Sequence, residues 1–377
     1  MEERITYFSA RRARIEQGLL DAGLDAAIFT QGAELAWLCG YEASTLERPT
    51  ILLLRPQEQP WLAIPALEEP RLEGVLAERE SFCVRPWVDG EDPVELVSDM
   101  LSGAGRIVVS DQTRWGFLHA LKSRLGGVQL GLTSPITSPI RAVKDELELR
   151  ALEAAAKAAD RVVHQLQTGE IRLIGRTELD VAKEIRERLV AEGHARAEFA
   201  IVASGPNGAS PHHEPSGRRI GAGEVVVVDF GGAFYLGGPP GYCSDVTRTL
   251  ATGEVGPEVL EVHEAVKKAQ AKAREAVDVG VPAKDVDLVA RSWISQSGFG
   301  EAFLHRTGHG IGVEVHEDPY IVSTNASPLR VGNAFSVEPG VYLKGRFGVR
   351  IEDIVVIAGD GVRSLNSAPR DLVVVEA

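Results

Sequence analysis

The segment that decides the fold is Val225-Val-Val-Val-Asp-Phe-Gly-Gly-Ala-Phe-Tyr-Leu-Gly-Gly-Pro-Pro-Gly-Tyr-Cys-Ser-Asp-Val-Thr-Arg-Thr-Leu250. Asp229 follows four valines and Asp245 precedes Val-Thr-Arg-Thr-Leu, and both flanking runs are typical of strands. The midpoint of the two aspartates is position 237, within the Gly- and Pro-rich run Gly237–Gly241, which favours a turn. The segment therefore predicts a hairpin with two carboxylates opposite each other, their Cβ atoms about 5 Å apart.

A second hairpin is predicted near the end of the chain. Glu338 and Glu352 have their midpoint at Gly345, inside Lys344-Gly345-Arg346. Like charges directly opposite on paired strands are destabilising, so two such hairpins indicate that cations lie between the carboxylates. Four carboxylates would balance the charge of two divalent ions. The alternative is that acidic residues at strand ends are ordinary solvated positions.

Histidines cluster between the two hairpins. His305, His309 and His316 fall within the run His305-Arg-Thr-Gly-His-Gly-Ile-Gly-Val-Glu-Val-His316, and the whole chain has nine histidines. Glycines on both sides of His309 let other groups approach closely and disfavour a regular helix. A weaker signal is the loop Ser204–Pro215, from which His212 or His213 could project.

Composition restricts the class of protein. A chain of 377 residues suits two domains. Its net charge of −14 argues against a nucleic-acid binder or a protein that binds anionic membranes, because both need basic surface. The three cysteines form no CxxC pair, and no stretch has the length of a membrane span. We expect a cytoplasmic protein.

The order of predicted elements suggests the domain boundaries. Residues 1–132 alternate helices and strands, as in an α/β domain. Residues 133–144 carry two prolines among Ser and Thr and are predicted to be a linker. In residues 145–377, two helices followed by strands occur twice, which suggests a duplicated half-domain.

Together these segments resemble the creatinase/aminopeptidase P/prolidase family of peptidases, family M24B. The resemblance rests on SGPNGASPHHEP, VVVVDFGG with YCSDVTRT, HRTGHGIGVEVHEDP, FSVEPGVY and GVRIEDIVVI, between Ser204 and Ile357. It implies an α+β fold, in which a pita-bread catalytic domain follows a smaller α/β creatinase-like N-terminal domain.

The resemblance also assigns roles to residues. The family's metal ligands fall on Asp229, Asp245, His309, Glu338 and Glu352. Asp245 and Glu352 would bridge two ions. The family's active-site histidines fall on His212, His305 and His316, and its arginine before the last ligand falls on Arg350. One departure is that Asp229 and Asp245 are 16 residues apart, where the family usually shows 11, so the position of the lengthened turn is open.

The expected chemistry is hydrolysis of the peptide bond before proline. Two divalent ions suit four carboxylates and an imidazole; Mn²⁺ is expected, and Co²⁺ and Zn²⁺ fit the same donors. Glu338 would act as general base and acid. His316 and His212 would stabilise the oxyanion or protonate the leaving nitrogen, while His305 and Arg350 would orient the pocket.

Several alternatives remain at this stage. A prolidase cuts Xaa-Pro dipeptides, whereas an aminopeptidase P cuts longer peptides; a methionine aminopeptidase or a non-catalytic peptide-binding relative fits less well. The ligand spacing favours dipeptides. A dipeptide enzyme must read the free proline carboxylate, and Arg48 is the candidate for that role. The resemblance also implies a homodimer.

Overall fold

The computed structural model describes residues 2–73 and 81–375, and the described residues divide into two units. One unit runs to Arg141 and includes Gly237–Pro240; the other comprises Ala142–Leu236 and the chain from Gly241 onward. Of the lengthened turn between the two aspartates, only Gly237–Pro240 is grouped with the first unit.

The first unit is a six-stranded sheet with helices. The strands lie in the order β4-β3-β2-β1-β5-β6, with β1–β2 and β2–β3 antiparallel and the other pairs parallel. The strands are β1 Ala26–Thr30, β2 Ile51–Leu54, β3 Trp61–Pro65, β4 Cys83–Trp87, β5 Arg106–Val109 and β6 Gln129–Leu132. The helices are α1 Glu2–Ala22, α2 Ala33–Cys39, α3 Pro93–Met100, α4 Trp115–Leu125 and α5 Ser134–Arg141. The predicted alternation of helices and strands is therefore confirmed.

Residues 133–144, predicted to be a linker, contain helix α5. Pro135 lies in the first turn of this helix, where backbone N–H groups have no intrahelical acceptor. The N–H groups of Ile136 and Thr137 instead donate to the carbonyl oxygen of Thr133. Pro139 lies inside the helix. The two prolines are thus compatible with a short helix inside the segment that the sequence predicts to be a linker.

The second unit contains four helices and three sheets. The helices are α6 Glu146–Gln167, α7 Glu178–Ala191, α8 Pro257–Glu275 and α9 Ala283–Gln296. The strands are β7 His194–Ser204, β8 Val225–Phe234, β9 Tyr242–Cys243, β10 Val246–Ala251, β11 Gly308–Gly310, β12 Glu317–Ile321, β13 Ala334–Val337, β14 Gly340–Leu343, β15 Phe347–Arg350, β16 Asp353–Ala358, β17 Gly361–Ser364 and β18 Val373–Val374. One sheet has the order β18-β10-β8-β7, with β9 beside β8; a second has the order β12-β11-β13-β16-β17; and β14 pairs with β15.

Local sequence accounts for where the first two of these helices begin. Asp145 accepts from the N–H of Glu148, whose side chain in turn accepts from the N–H of Asp145, which is a capping box. Thr177 caps α7 by accepting from the N–H of Asp180. Both helices lie at the start of residues 145–377, where the sequence predicts two helices followed by strands.

Two apolar cores support the sheets. Helices α6 and α7 contribute Val162 and Ile185 to a core that includes Val228 of β8. Helices α8 and α9 contribute to a second core that includes Phe335 and Val355 of the other sheet. The order of two helices followed by strands, predicted to occur twice, is confirmed. No helix in the described part of the chain is both long and apolar enough to cross a membrane.

Candidate metal centre

Strand β8 and the residue before β10 supply the first two carboxylates. Asp229 pairs with Thr247, and Phe230 pairs with Val246. The hairpin is therefore centred on residue 238 rather than 237, and the prediction that Asp229 directly opposes Asp245 is wrong. The two carboxylates still lie on one side of the hairpin. The observed register differs from the predicted one by two positions, and side chains two residues apart on a strand share a face.

Glycine 231 allows this arrangement. A Cβ atom at Gly231 would lie 2.0 Å from the carbonyl oxygen of Ser244, closer than any real contact. The N–H of Ser244 donates to the carbonyl oxygen of Gly232 at 2.9 Å. The strand can approach the residue before Asp245 only because it lacks a side chain at this point.

His309 lies between two glycines for a similar reason. Cβ atoms at Gly308 and Gly310 would lie 1.8 Å from the carbonyl oxygen of Ser336 and 2.2 Å from that of Asp318. Nδ1 of His309 is 3.1 Å from the carbonyl oxygen of Gly310, which can only accept, so Nδ1 carries a proton and Nε2 is the nitrogen that faces the carboxylates. Nε2 lies 3.2 Å from Oε1 of Glu338 and 3.6 Å from Oδ2 of Asp245.

Glu338 lies between β13 and β14, and Glu352 lies between β15 and β16. Val337 pairs with Asp353 on one side of the two glutamates and Gly340 pairs with Arg350 on the other. This is the predicted register centred on Gly345, and it places the glutamates opposite each other. Each leaves its own sheet ladder: the N–H of Glu338 donates to Thr307, and that of Glu352 donates to Thr247.

Three buried carboxylate oxygens in the described part of the chain lack any hydrogen-bond partner: Oδ1 of Asp229, Oδ1 of Asp245 and Oε1 of Glu352. An unpaired buried anion is costly. Burial, followed by the charges of neighbouring carboxylates, raises the pKa of Asp245 and of Glu352 well above their ordinary values. Bound cations would be ligated by these oxygens and would offset the repulsion between the carboxylates.

The positions of the ligand atoms also favour bound cations at this centre. Ligand atoms of Asp245, His309 and Glu352 all lie within 4.8 Å of one another. Burial raises the pKa of Glu338, but the hydrogen bond and charge of His309, with the charges of His305 and Arg350, outweigh burial and lower that pKa to about 2. Carboxylates with one imidazole fit the donor set of hard to borderline divalent ions.

A cavity of about 810 Å³ opens onto these residues, and we call it the acidic cavity. All five predicted ligands, with His212, His305, His316 and Arg350, line it. The structure therefore brings together every site residue that the sequence predicts in this unit.

Burial favours the neutral form of two histidines of the acidic cavity, His305 and His316. Burial lowers the pKa of His305, and burial with the charges of His309 and Arg306 lowers the pKa of His316 to about 4. His316 packs edge-on against His309, with ring centroids 4.1 Å apart. Neutral imidazoles can both donate and accept hydrogen bonds.

Arg350 connects two site residues. Nη2 donates to Oδ2 of Asp229 at 2.5 Å, and Nη1 donates to the hydroxyl oxygen of Tyr342 at 2.7 Å. Nε2 of His305 lies 2.8 Å from the same hydroxyl oxygen. The sequence analysis did not identify Tyr342. The signal available was its position four residues after Glu338 in Glu-Pro-Gly-Val-Tyr.

The structure distinguishes the two adjacent loop histidines. His212 lines the acidic cavity, whereas Nε2 of His213 is 2.9 Å from Oε2 of Glu178. Glu178 is fully buried and holds the loop that carries both histidines. Sequence reasoning missed Glu178, which lies 26 residues before the loop begins.

Arg48 belongs to the other unit, where its guanidinium is occupied. Nε and Nη2 each lie 2.8 Å from a different oxygen of Asp89, and Nη1 donates to Glu47. This is a bidentate pair, the geometry by which arginine binds a carboxylate. The structure leaves the proposed role of Arg48 in substrate binding untested.

Comparisons with known proteins give the relationships of both units. Residues 150–358 match the Metallopeptidase family M24, and residues 11–143 match the Creatinase/Prolidase N-terminal domain. The chain is 43% identical over 369 residues to "Probable dipeptidase PepE" of Mycobacterium tuberculosis, covering 98% of this chain and 96% of that one.

Solved structures agree with these matches. Dipeptidase PepE from Mycobacterium ulcerans superimposes with a TM-score of 0.90 at 43% identity, covering 99% of both chains. A recombinant prolidase from Thermococcus sibiricus superimposes with a TM-score of 0.89 at 37% identity, covering 97% of this chain and 98% of that one. The predicted α+β fold, a pita-bread domain preceded by a creatinase-like α/β domain, is confirmed.

Proposed function

The chain belongs to the metallopeptidase family M24, and from this premise we propose that it is a prolidase, hydrolysing Xaa-Pro dipeptides with two divalent metal ions. The observation that carries the proposal is the set of buried, unpartnered oxygens on Asp229, Asp245 and Glu352 beside His309 and Glu338. The likeness to a solved prolidase supports the substrate class.

The five residues Asp229, Asp245, His309, Glu338 and Glu352 would hold the ions. When bound, divalent ions lower the pKa of water and polarise a carbonyl group. The remaining steps belong to the side chains of the chain itself.

Glu338 carries the proton. Its low pKa makes it a carboxylate at neutral pH, so it accepts a proton from the attacking water and returns that proton to the leaving proline nitrogen. Ser336 donates to Oε1 of Glu338 at 3.1 Å and limits the rotation of its carboxylate.

His316 and His212 act on the substrate from the walls of the acidic cavity. Their imidazole N–H groups donate a hydrogen bond to the oxyanion that develops on the scissile carbonyl, or to the leaving nitrogen. His305, Tyr342 and Arg350 form a hydrogen-bonded chain that ends on Asp229. That chain fixes the orientation of the Asp229 carboxylate, one of the proposed metal ligands.

The proposal includes Mn²⁺ as the resident ion, supported by the oxygen-rich donor set. It also includes a cytoplasmic homodimer. The three cysteines, Cys39, Cys83 and Cys243, are all free thiols, and free thiols suit a reducing compartment. The homodimer rests on the family resemblance and is tested by light scattering.

The test is a substrate comparison after metal removal. The protein is stripped with a chelator, reloaded with Mn²⁺, Co²⁺ or Zn²⁺, and assayed with Ala-Pro, Met-Pro, Ala-Pro-Ala and Ala-Ala. Metal-dependent cleavage of the two Xaa-Pro dipeptides, with little cleavage of the other peptides, is expected. The variant Glu338→Gln should be folded but inactive, whereas Glu301→Gln, at an exposed position, should keep full activity.

Two other results of the substrate comparison would change the proposed function. Preferential cleavage of Ala-Pro-Ala would make it an aminopeptidase P. If no peptide is cleaved with any of the three metals, the peptidase proposal fails.

A further inference from the structure

The acidic cavity contains three arginines, and they differ in what they contact. Arg350 is fully engaged by Asp229, Tyr342, Thr247 and the carbonyl oxygen of Pro211. Arg186 is exposed on α7. Arg306 is half-buried, and within residues 2–73 and 81–375 its guanidinium has neither a hydrogen bond nor an ion pair. Because Arg306 faces the cavity with no anionic partner among the described residues, it could bind an anionic group of a ligand.

Arg306 is also held close to the reacting groups. It lies between His305, which lines the acidic cavity, and Thr307, whose carbonyl oxygen accepts from the N–H of Glu338 at 2.8 Å. Its Cζ atom is 4.5 Å from the ring centroid of Tyr320, four residues after His316. The residue after Arg306 therefore contacts the proposed base through the main chain, and the side chain of Arg306 packs on Tyr320.

The stacking on Tyr320 suits the binding of a carboxylate. A guanidinium that lies over an aromatic face is stabilised by the ring, while its N–H donors in the plane stay available. Those donors match the two oxygens of a carboxylate. The contrast with Arg48 is direct, because the donors of Arg48 are already occupied by Asp89 and Glu47.

Charge balance favours an anionic ligand as well. Two divalent ions would neutralise the carboxylates of Asp229, Asp245, Glu338 and Glu352. Glu198, which also lines the acidic cavity, is paired with Arg196 at 2.6 Å. With those groups balanced, the charged residues left in the lining are Glu214 and the three arginines Arg186, Arg306 and Arg350, so the lining stays net positive and attracts a negative group on the substrate.

We propose that Arg306 binds the C-terminal carboxylate of the substrate and so restricts hydrolysis to dipeptides. This inference rests on the proposed prolidase function. In a dipeptide the carboxylate lies one residue beyond the scissile bond, whereas in a longer peptide that position is a neutral amide. Arg306 therefore selects substrates by the charge at this position.

The experiment compares Ala-Pro with Ala-Pro amide, which has the same shape without the charge. Both are assayed with the Mn²⁺-loaded wild type, Arg306→Gln and Arg186→Gln, the last being a matched loss of charge in the same cavity. We expect Arg306→Gln to lose about 10- to 100-fold in kcat/KM on Ala-Pro, mainly through KM, because it loses hydrogen bonds to a charged group. On the amide the loss should be less than about threefold, and Arg186→Gln should resemble the wild type on both substrates.

A binding measurement separates recognition from turnover. In a Glu338→Gln background, which should not hydrolyse the substrate, calorimetry gives the Kd of intact Ala-Pro with and without Arg306→Gln. A weaker Kd for Ala-Pro but not for its amide supports the inference, and thermal melts of each variant check that it is folded.

Two outcomes overturn the inference while the prolidase function stands. One is equal loss by Arg306→Gln on Ala-Pro and on the amide; the other is a wild type that does not distinguish the two substrates. A wild type that cleaves no Xaa-Pro substrate overturns the proposed function, and the inference falls with it.

Discussion

Nε2 of His213 lies 2.9 Å from Oε2 of Glu178, a carboxylate with no exposed surface at the start of helix α7. Ser204 donates to the same carboxylate from its N–H and its hydroxyl group, and Ser216 does the same from the other end of the loop. One buried carboxylate therefore fastens both ends of the loop that presents His212 to the acidic cavity.

Replacing Glu178 with Gln should disturb this loop. An amide offers one oxygen where the carboxylate offers two, so some of the donors lose their partner. Each unpaired buried donor costs about 1–3 kcal/mol. We expect a lower Tm and a fall in kcat with little change in KM, measured by thermal melts and steady-state kinetics on Ala-Pro.

The control for this variant is Glu187→Gln, on an exposed part of the same helix. It should leave both Tm and kcat near the wild-type values. If Glu178→Gln lowers Tm but leaves kcat unchanged, the carboxylate is structural only, and His212 does not depend on it.

The same carboxylate predicts how stability depends on acid. Burial raises the pKa of Glu178, but hydrogen bonds from Ser204, Ser216 and His213 outweigh burial and lower that pKa from 4.5 to about 2. The folded pKa lies below the unfolded value. The carboxylate therefore stabilises the fold fully above about pH 4.5, and this contribution is lost as the pH falls toward 2.

Thermal melts at intervals between pH 6 and pH 2.5 test this direction of the pH dependence of stability. The Tm difference between wild type and Glu178→Gln should narrow as the pH falls through that window, because the variant has no proton to gain at this position. A difference that widens in acid would show that the carboxyl group is protonated in the folded protein at neutral pH.

The sequence predicts the second carboxylate hairpin better than the first because the turns differ. The short turn at Lys344-Gly345-Arg346 leaves one centre for the pairing, and Leu343 pairs with Phe347 as expected. The turn between Asp229 and Asp245 is long, and its Gly and Pro residues do not select one register. The observed register depends on the close approach of Gly231 to Ser244, which only the folded structure reveals.

The sequence also did not predict residues whose roles depend on tertiary contacts. The metal ligands could be found because their motifs are local and their types are chemically distinctive. Glu178, Arg306 and Tyr342 are of ordinary residue types, and the motifs that contain Arg306 and Tyr342 do not show what their side chains contact. Their roles arise from tertiary contacts with His213, Tyr320 and Arg350.

Replacing Gly231 with Ala should break the approach of β8 to Ser244. The added Cβ atom would lie 2.0 Å from a backbone oxygen, which cannot move aside as a flexible side chain could. We expect a destabilisation of about 1–3 kcal/mol, with loss of metal affinity because Asp229 and Asp245 shift apart. Thermal melts and Mn²⁺ titration measure the two effects.

Gly116→Ala is the matched substitution. Gly116 lies within helix α4, and a Cβ atom there meets nothing within 4 Å. Because Ala favours a helix over Gly by up to about 1 kcal/mol, this variant should be as stable as the wild type or slightly more so. Equal behaviour of the two variants would contradict the steric argument for Gly231.

The cluster of buried carboxylates predicts opposite effects of one substitution in the absence and presence of metal. Without metal, the carboxylate of Asp245 is buried beside Glu352, Asp229 and Glu338, and burial and those charges raise its pKa. Asp245→Asn removes a group that is unfavourable in this setting, so the metal-free variant should melt about 2–4 °C above the metal-free wild type, as about 1 kcal/mol would produce. Mn²⁺ at 100 times its Kd should stabilise the wild type by about 2.7 kcal/mol, and the variant far less, because it has lost a ligand.

Differential scanning calorimetry with chelator and with Mn²⁺ gives all four values, and Asp360→Asn, at an exposed position, should match the wild type in both conditions. A metal-free Asp245→Asn protein that melts below the wild type would mean that the aspartate stabilises the fold by itself, and the case for cations at this centre would lose its electrostatic basis.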